Sequence, residues 1–160
     1  MSTVKRVVIG LLATVGLLFA GAATVPVANA VELPLNTFVV HLEAENEIPD
    51  CPAGEESGAS GVAVVQINAE TGEITYRVVA FNLPSTIEDS PGAHIHVGTA
   101  EQRGPIVQEF TLTGLNTGLV ATGTATNPDL AGAILANPAG YYVNVHTEKC
   151  PAGTIRGQLA

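Results

Sequence analysis

The sequence predicts an all-β protein, an antiparallel Greek-key sandwich or flattened barrel of about eight strands with one short helix. Two observations support this fold class. Short segments of alternating apolar and polar residues recur between residues 37 and 159, and turn signals separate them at intervals of roughly 8–12 residues. Because successive side chains of a strand point to opposite faces, each segment can bury one face in a shared core.

Residues 1–30 are predicted to be a signal peptide. Two basic residues precede the uncharged apolar run 7–20, and residues 28–30 (Ala-Asn-Ala) have the small-x-small form of a cleavage site. The apolar run is shorter than the roughly 20 residues that span a bilayer, which disfavours the alternative of an uncleaved anchor. We therefore expect one mature domain, residues 31–160, that is secreted, periplasmic or at the cell surface, without membrane attachment after cleavage.

The mature chain is strongly acidic. It holds four basic residues against 15 acidic ones, a formal charge of 4 − 15 = −11. Nucleic-acid binding requires a cationic face, and anionic lipid attracts basic segments. The charge therefore argues against both kinds of partner and is typical of a soluble exported domain.

The first half of the domain predicts four strands. They cover residues 37–43, 61–68, 73–81 and the short stretch 92–98. The connection 45–60 is acidic and rich in Gly, Pro and Ser, and it carries Cys51. Residues 69–72 form a turn in which Gly72 suits a positive φ, so the second and third strands make a hairpin.

The second half predicts four more strands and the helix. After a loop at 98–105, the strands cover residues 106–112, 119–126, 141–146 and 154–159. Asn127 suits the N-cap of a helix and Pro128 its first position, and the helix is expected to end near Asn137-Pro138. The loop between the last two strands holds Cys150.

The two cysteines are predicted to form a disulfide. Cys51 and Cys150 each begin the same four residues, Cys-Pro-Ala-Gly. An even number of cysteines in an exported chain favours pairing over free thiols. Such a bond closes a loop of about 100 residues, worth on the order of 4 kcal/mol in the chain-entropy model.

Three of the histidines lie in two short strands, 92–98 and 141–147. His94 and His96 share one face of the first strand, and His146 lies on the polar face of the second. The opposite, apolar faces carry Ala93, Ile95, Val97, Val143 and Val145. If the two strands are neighbours, the imidazoles collect on one face while the apolar residues enter the core.

This arrangement predicts a metal site. Two rings two residues apart on a strand are separated by about 6.6 Å along it, and they can tilt to share one ion with a third imidazole. His94, His96 and His146 are the expected ligands, and His41 is the candidate fourth. An imidazole-only set suits copper, with zinc as the second choice. The alternative is that the histidines are structural and donate hydrogen bonds to loop backbone.

Five motifs resemble those of the CHRD family, a domain named from chordin and common in exported bacterial proteins. They are Leu42-x-Ala44-x-Asn46-Glu47-Ile48-Pro49, Ala93-His94-Ile95-His96-x-Gly98, Gly104-Pro105-Ile106-Val107, Tyr142-Val143-Asn144-Val145-His146-Thr147 and Gly153-Thr154-Ile155-Arg156-Gly157-Gln158-Leu159. The resemblance covers essentially the whole mature chain. It implies the family and a domain type, but it does not imply a reaction.

A more distant resemblance is to copper/zinc superoxide dismutases, which are Greek-key sandwiches. The similar features are Gly92-Ala93-His94-Ile95-His96, Val143-Asn144-Val145-His146, one Cys51–Cys150 disulfide and Arg156 near the C-terminus. The zinc-ligand loop of those enzymes is missing, so the resemblance implies a copper-only site. It also implies that Arg156 is a catalytic residue that guides an anion such as superoxide. An ion pair of Arg156 with Glu47 or Asp50 is the alternative.

Two functions are therefore expected from the sequence. The first is a copper-dependent enzyme that dismutates superoxide outside the cytoplasm. The second is a non-catalytic extracellular binding or adhesion module whose histidines are structural. Metal analysis of the purified protein distinguishes them, because only the first requires a bound ion.

Overall fold

Eight strands and one helix make up the domain in a computed structural model that describes residues 36–48, 51, 58–88 and 92–160. The elements are β1 Thr37–Glu43, β2 Ser60–Ile67, β3 Glu73–Phe81, β4 Ala93–Val97, β5 Ile106–Glu109, β6 Gly118–Thr126, α1 Pro128–Ala136, β7 Tyr141–Thr147 and β8 Cys150–Gln158. The predicted signal peptide lies outside the described residues. Within them, no helix is long and apolar enough to cross a membrane.

All eight strands belong to one antiparallel sheet, which curls into a half-barrel. Their order is β5-β4-β7-β8-β1-β2-β3-β6. The last strand, β8, therefore lies between β7 and β1 and joins β5-β4-β7 to β1-β2-β3-β6. Leu112 pairs with Ala121 in an isolated bridge, which brings the chain beyond β5 against β6. The predicted all-β antiparallel fold of about eight strands with one short helix is confirmed.

Two strand limits differ from the prediction by more than one residue. β5 ends at Glu109 instead of residue 112, because the chain leaves β4 there and pairs with β6. β8 begins at Cys150 instead of residue 154, since Cys150 pairs with Thr147 directly after β7. The tight β7–β8 connection therefore replaces the longer predicted loop.

The concave face of the sheet forms the apolar core. Alternate residues of each strand point into it, and α1 contributes Leu130, Ala131 and Ile134. Asn127 caps the helix as predicted, since its side-chain oxygen accepts a hydrogen bond from the Leu130 N–H. The fully buried sheet residues include Leu42, Ala63, Val65, Ile74, Val78, Ala80, Ile95, Val143, Val145 and Ile155. Of the predicted apolar faces of β4 and β7, Ala93, Ile95, Val143 and Val145 are buried in this core. The prediction fails for Val97, which lies at the end of β4, is only partly buried and is not part of the core.

The predicted disulfide is confirmed. Cys51 and Cys150 are bonded across a sequence separation of 99 residues, and both are buried. The bond connects the segment after β1 to the first residue of β8. Since β1 and β8 are neighbours in the sheet, the disulfide reinforces a contact between the two ends of the domain.

Replacing Ile95 tests the register of β4. The side chain is fully buried, so Ile95→Asp places an unpaired carboxylate in the core and should cost more than about 4 kcal/mol of unfolding free energy. Val39→Asp is the matched control, because Val39 is a strand residue that is 60% exposed. Thermal and urea unfolding should show a near-native control beside an unfolded Ile95→Asp protein. A cooperative, native-like Ile95→Asp protein would show the register to be wrong.

Candidate metal centre

The register of three adjacent strands places the polar residues of β4, β7 and β8 side by side. His94 lies opposite Asn144, and Asn144 lies opposite Arg156 on the next strand. His96 lies opposite Tyr142. Residues paired in this way share a face of the sheet. The polar row therefore runs across the convex face, behind the apolar core.

This convex face is not solvated at the histidines. His94 is fully buried, His96 is 8% exposed and His146 is 4% exposed. The segment 98–105 supplies part of the cover, because its Gly104 carbonyl lies against His96. Side chains on a strand face that points away from the core are ordinarily exposed to water. The burial of three imidazoles on this face therefore shows that other parts of the chain cover them.

The three histidines form one cluster. Each offers a ring nitrogen, and these nitrogens all lie within 4.8 Å of one another. The ring centroids of His94 and His96 are 4.3 Å apart, and those of His94 and His146 are 4.6 Å apart. The predicted grouping of His94, His96 and His146 is therefore present, and the cluster could hold a metal ion.

Backbone carbonyls set the tautomers of two of these rings. Nδ1 of His96 is 2.7 Å from the Gly104 carbonyl, and Nδ1 of His146 is 3.0 Å from the Pro151 carbonyl. A carbonyl only accepts, so each Nδ1 carries the proton and each Nε2 carries the lone pair. Both Nε2 atoms are buried without a hydrogen-bond partner among the described residues. Metal-binding histidines typically donate their other ring N–H to a carbonyl in this way.

The electrostatics keep these lone pairs available. Burial lowers the pKa of His96 to about 4, and the neighbouring charges of His146, Arg156 and Arg103 act in the same direction. Burial also lowers the pKa of His146. Both rings are therefore neutral near pH 7, and a metal ion need not displace a proton from them.

Tyr142 joins the histidines to Arg156. Its buried ring stacks on His96 at 4.6 Å between centroids, with 9° between the planes. The Arg156 guanidinium carbon lies 3.5 Å from the centroid of the same ring. The Arg156 guanidinium also donates to the carbonyls of Thr99 and Gln102, so it holds segment 98–105 in place.

A buried carboxyl group completes the polar row. Glu47 is 3% exposed and follows a turn of 3-10 helix, Ala44–Asn46. Its Oε2 lies 3.5 Å from the Asn144 amide nitrogen, while its Oε1 and the Asn144 Oδ1 are buried without hydrogen-bond partners among the described residues. Gly153 leaves the necessary space, since an added Cβ would lie 2.3 Å from Oε2.

Glu47 is held in its neutral form by this environment. Burial raises its pKa to about 8, against the opposing charge of Arg156 and the hydrogen bond from Asn144. The sequence presents Glu47 as one acidic residue of an acidic segment, and an ion pair with Arg156 was one expectation for it. What the sequence lacks is any sign that this carboxyl is buried, because that depends on Gly153 and β8, more than 100 residues away.

The other predicted site residues lie elsewhere or have other contacts. His41 is exposed on β1 and is not part of the cluster of three. Its strand is separated from β7 by β8. Arg156 lies in the polar row, but its guanidinium is buried against Tyr142 and loop carbonyls. Asp50 lies outside the described residues.

Comparison with known protein families matches residues 38–159 to the CHRD domain. The match spans nearly all of the described structure, and the chain belongs to the CHRD family. No curated protein and no solved structure matches the chain. The family and the disulfide together are typical of an extracellular protein.

The buried Glu47 carboxyl predicts a pH-dependent stability. Its folded pKa of about 8 lies above the ordinary value of 4.5, so its stabilising contribution is complete below pH 4.5 and is lost as the pH rises through 8. The Glu47→Gln variant has no carboxyl group at this position, so its free energy of unfolding should not fall in this pH range for this reason. Between pH 5 and pH 8, the metal-free wild type should lose on the order of a few kcal/mol relative to Glu47→Gln.

Urea unfolding at the two pH values measures the difference. Glu45→Gln is the matched control, since Glu45 is exposed two residues away and should follow the wild type. Parallel pH profiles for all three proteins would contradict the assignment of a neutral, buried Glu47.

Proposed function

We propose that this protein is an exported CHRD-domain protein that binds one copper ion through Nε2 of His94, His96 and His146. One observation carries the proposal: three buried imidazoles whose ligand nitrogens lie within 4.8 Å of one another. The carbonyl partners of His96 and His146 direct their lone-pair nitrogens away from the backbone, as a ligand set requires.

Copper fits this donor set better than the other common metals. The cluster offers only imidazole nitrogen, without a thiolate or carboxylate among its ligand atoms. Calcium and magnesium prefer oxygen, whereas imidazole suits copper and zinc, and an all-nitrogen set with an open position suits redox-active copper. Zinc is the competing ion in the same site.

Superoxide dismutation is the activity we propose for the copper-loaded protein. Copper held by these three histidines would supply one-electron chemistry, which is what the conversion of two superoxide ions and two protons to dioxygen and hydrogen peroxide requires. The order of the histidine motifs and the single disulfide, which resemble copper/zinc superoxide dismutases, support this choice. The three histidines would hold the ion, and burial favours the neutral form of His96 and His146. The role of Arg156 as anion guide stays a prediction.

One observation favours the second candidate, a non-catalytic extracellular binding module. Arg156 already stacks on Tyr142 and donates to two loop carbonyls, contacts that stabilise a covered face without any substrate. In that case the histidines pack as part of the same polar layer. The two candidates differ in whether copper is retained and whether it turns over superoxide.

Copper retention is the first test. Wild-type mature protein, loaded with copper and dialysed, should keep one equivalent per chain by elemental analysis, whereas His94→Ala and His146→Ala should keep none. His41→Ala is the matched control, because this histidine is exposed and outside the cluster, and it should keep the full equivalent. If the wild type retains no more copper than the His94→Ala/His96→Ala/His146→Ala variant, the proposal of a metal site is wrong. The second candidate, a non-catalytic binding module, is then the better account.

Superoxide turnover is the second test. The copper-loaded wild type and the His41→Ala control should remove superoxide at least about 10²-fold faster than the metal-free triple variant, measured by stopped-flow absorbance. Copper retention without any acceleration would keep the metal site and exclude the enzyme.

A further inference from the structure

The segment 98–105, which covers the histidines, carries a cation of its own. Arg103 is exposed and directly precedes Gly104, whose carbonyl accepts the hydrogen bond from His96. Gly104 has no room for a side chain, since an added Cβ would lie 1.6 Å from the Val97 carbonyl oxygen. The backbone on which Arg103 sits is therefore held against β4, close to the cluster.

The charge of Arg103 reaches the buried groups of the site. It lowers the pKa of His96, of His146 and of Glu47, so its field acts on both sides of the polar row. Arg156 also contributes positive charge near His96, but it is 1% exposed and its guanidinium is engaged by carbonyls and an aromatic ring. An anion arriving from solvent can contact Arg103 without breaking those interactions.

The rest of the protein makes this cation significant. The whole chain has a formal net charge of −9, which repels anions at long range. The other arginine with an exposed side chain, Arg77, lies on β3, four strands from β7 in the sheet. Among the described arginines, Arg103 is thus the one that combines exposure with a position beside the histidines.

We propose that Arg103 draws small monovalent anions, superoxide among them, to the metal held by His94, His96 and His146. The inference rests on the proposed copper site. Arg103 acts through its charge and its exposed position: it offsets the acidic surface locally and offers an N–H fork on the segment that covers the histidines. A neutral ligand gains nothing from it, so Arg103 determines which class of ligand the site favours.

Azide binding to the copper-loaded protein tests the proposal without relying on turnover. The proteins are the wild type, Arg103→Gln and the matched control Arg77→Gln, each first analysed for copper content. Azide affinity is followed by visible absorbance at low and high ionic strength, and imidazole serves as the neutral ligand. Arg103→Gln should weaken azide binding about threefold to tenfold at low salt and reduce its salt dependence. Arg77→Gln should resemble the wild type.

The possible results separate the two proposals. Equal copper content, weaker azide binding only in Arg103→Gln and unchanged imidazole binding would support the role of Arg103. Equal azide affinity in all three proteins, or a parallel loss of azide and imidazole binding, would overturn it while leaving the copper site intact. A wild type that retains no copper would overturn the proposed function and this inference with it.

Discussion

A buried guanidinium needs partners on every side, and the way Arg156 obtains them organises the site. Arg156 is 1% exposed on the convex face of β8, where a strand side chain ordinarily meets water. It lies on the ring of Tyr142 and donates to the carbonyls of Thr99 and Gln102. Satisfying this one cation therefore brings segment 98–105 down onto the sheet. The burial and electrostatics of the histidines depend on that cover, since desolvation is the main cause of the lowered pKa values of His96 and His146.

The sheet consequently has a buried layer of side chains on each of its two faces, one apolar and one polar. Its concave face packs aliphatic side chains, and its convex face at β4, β7 and β8 packs imidazole, amide, phenol and guanidinium groups. The buried side-chain atoms without hydrogen-bond partners in the described part of the chain lie in this second layer, at Glu47, Asn144, His96 and His146 among others. Buried polar atoms are ordinarily satisfied. Their concentration in one place agrees with a cluster that could hold a metal ion, and it does so more strongly than any single residue does.

The sequence predicted what depends on local pattern. Period-two alternation in β4 and β7 places Ile95 and Val143 in the core and the histidines behind them, and the structure agrees. The pairing of β4 with β7 and the cover of the convex face arise from contacts between residues far apart in the sequence, such as that of Arg156 with Thr99, which is 57 residues away. His41 shows the difference: it has the same alternation as the other histidines, but its side chain is exposed. Glu47 and Arg103 were missed as site residues for the same reason, because exposure and burial of a charged loop residue are set by distant partners.

The disulfide has a consequence for the order in which the domain is completed. Cys150 is bonded to Cys51, and the next residue, Pro151, supplies the carbonyl that holds Nδ1 of His146. The disulfide at Cys150 and the carbonyl that orients the His146 ring therefore belong to adjacent residues. A chain that has not been oxidised lacks the restraint on Pro151, and with it part of what orients the third ring. Maturation of the cluster is therefore coupled to the redox state of the compartment in which the chain folds.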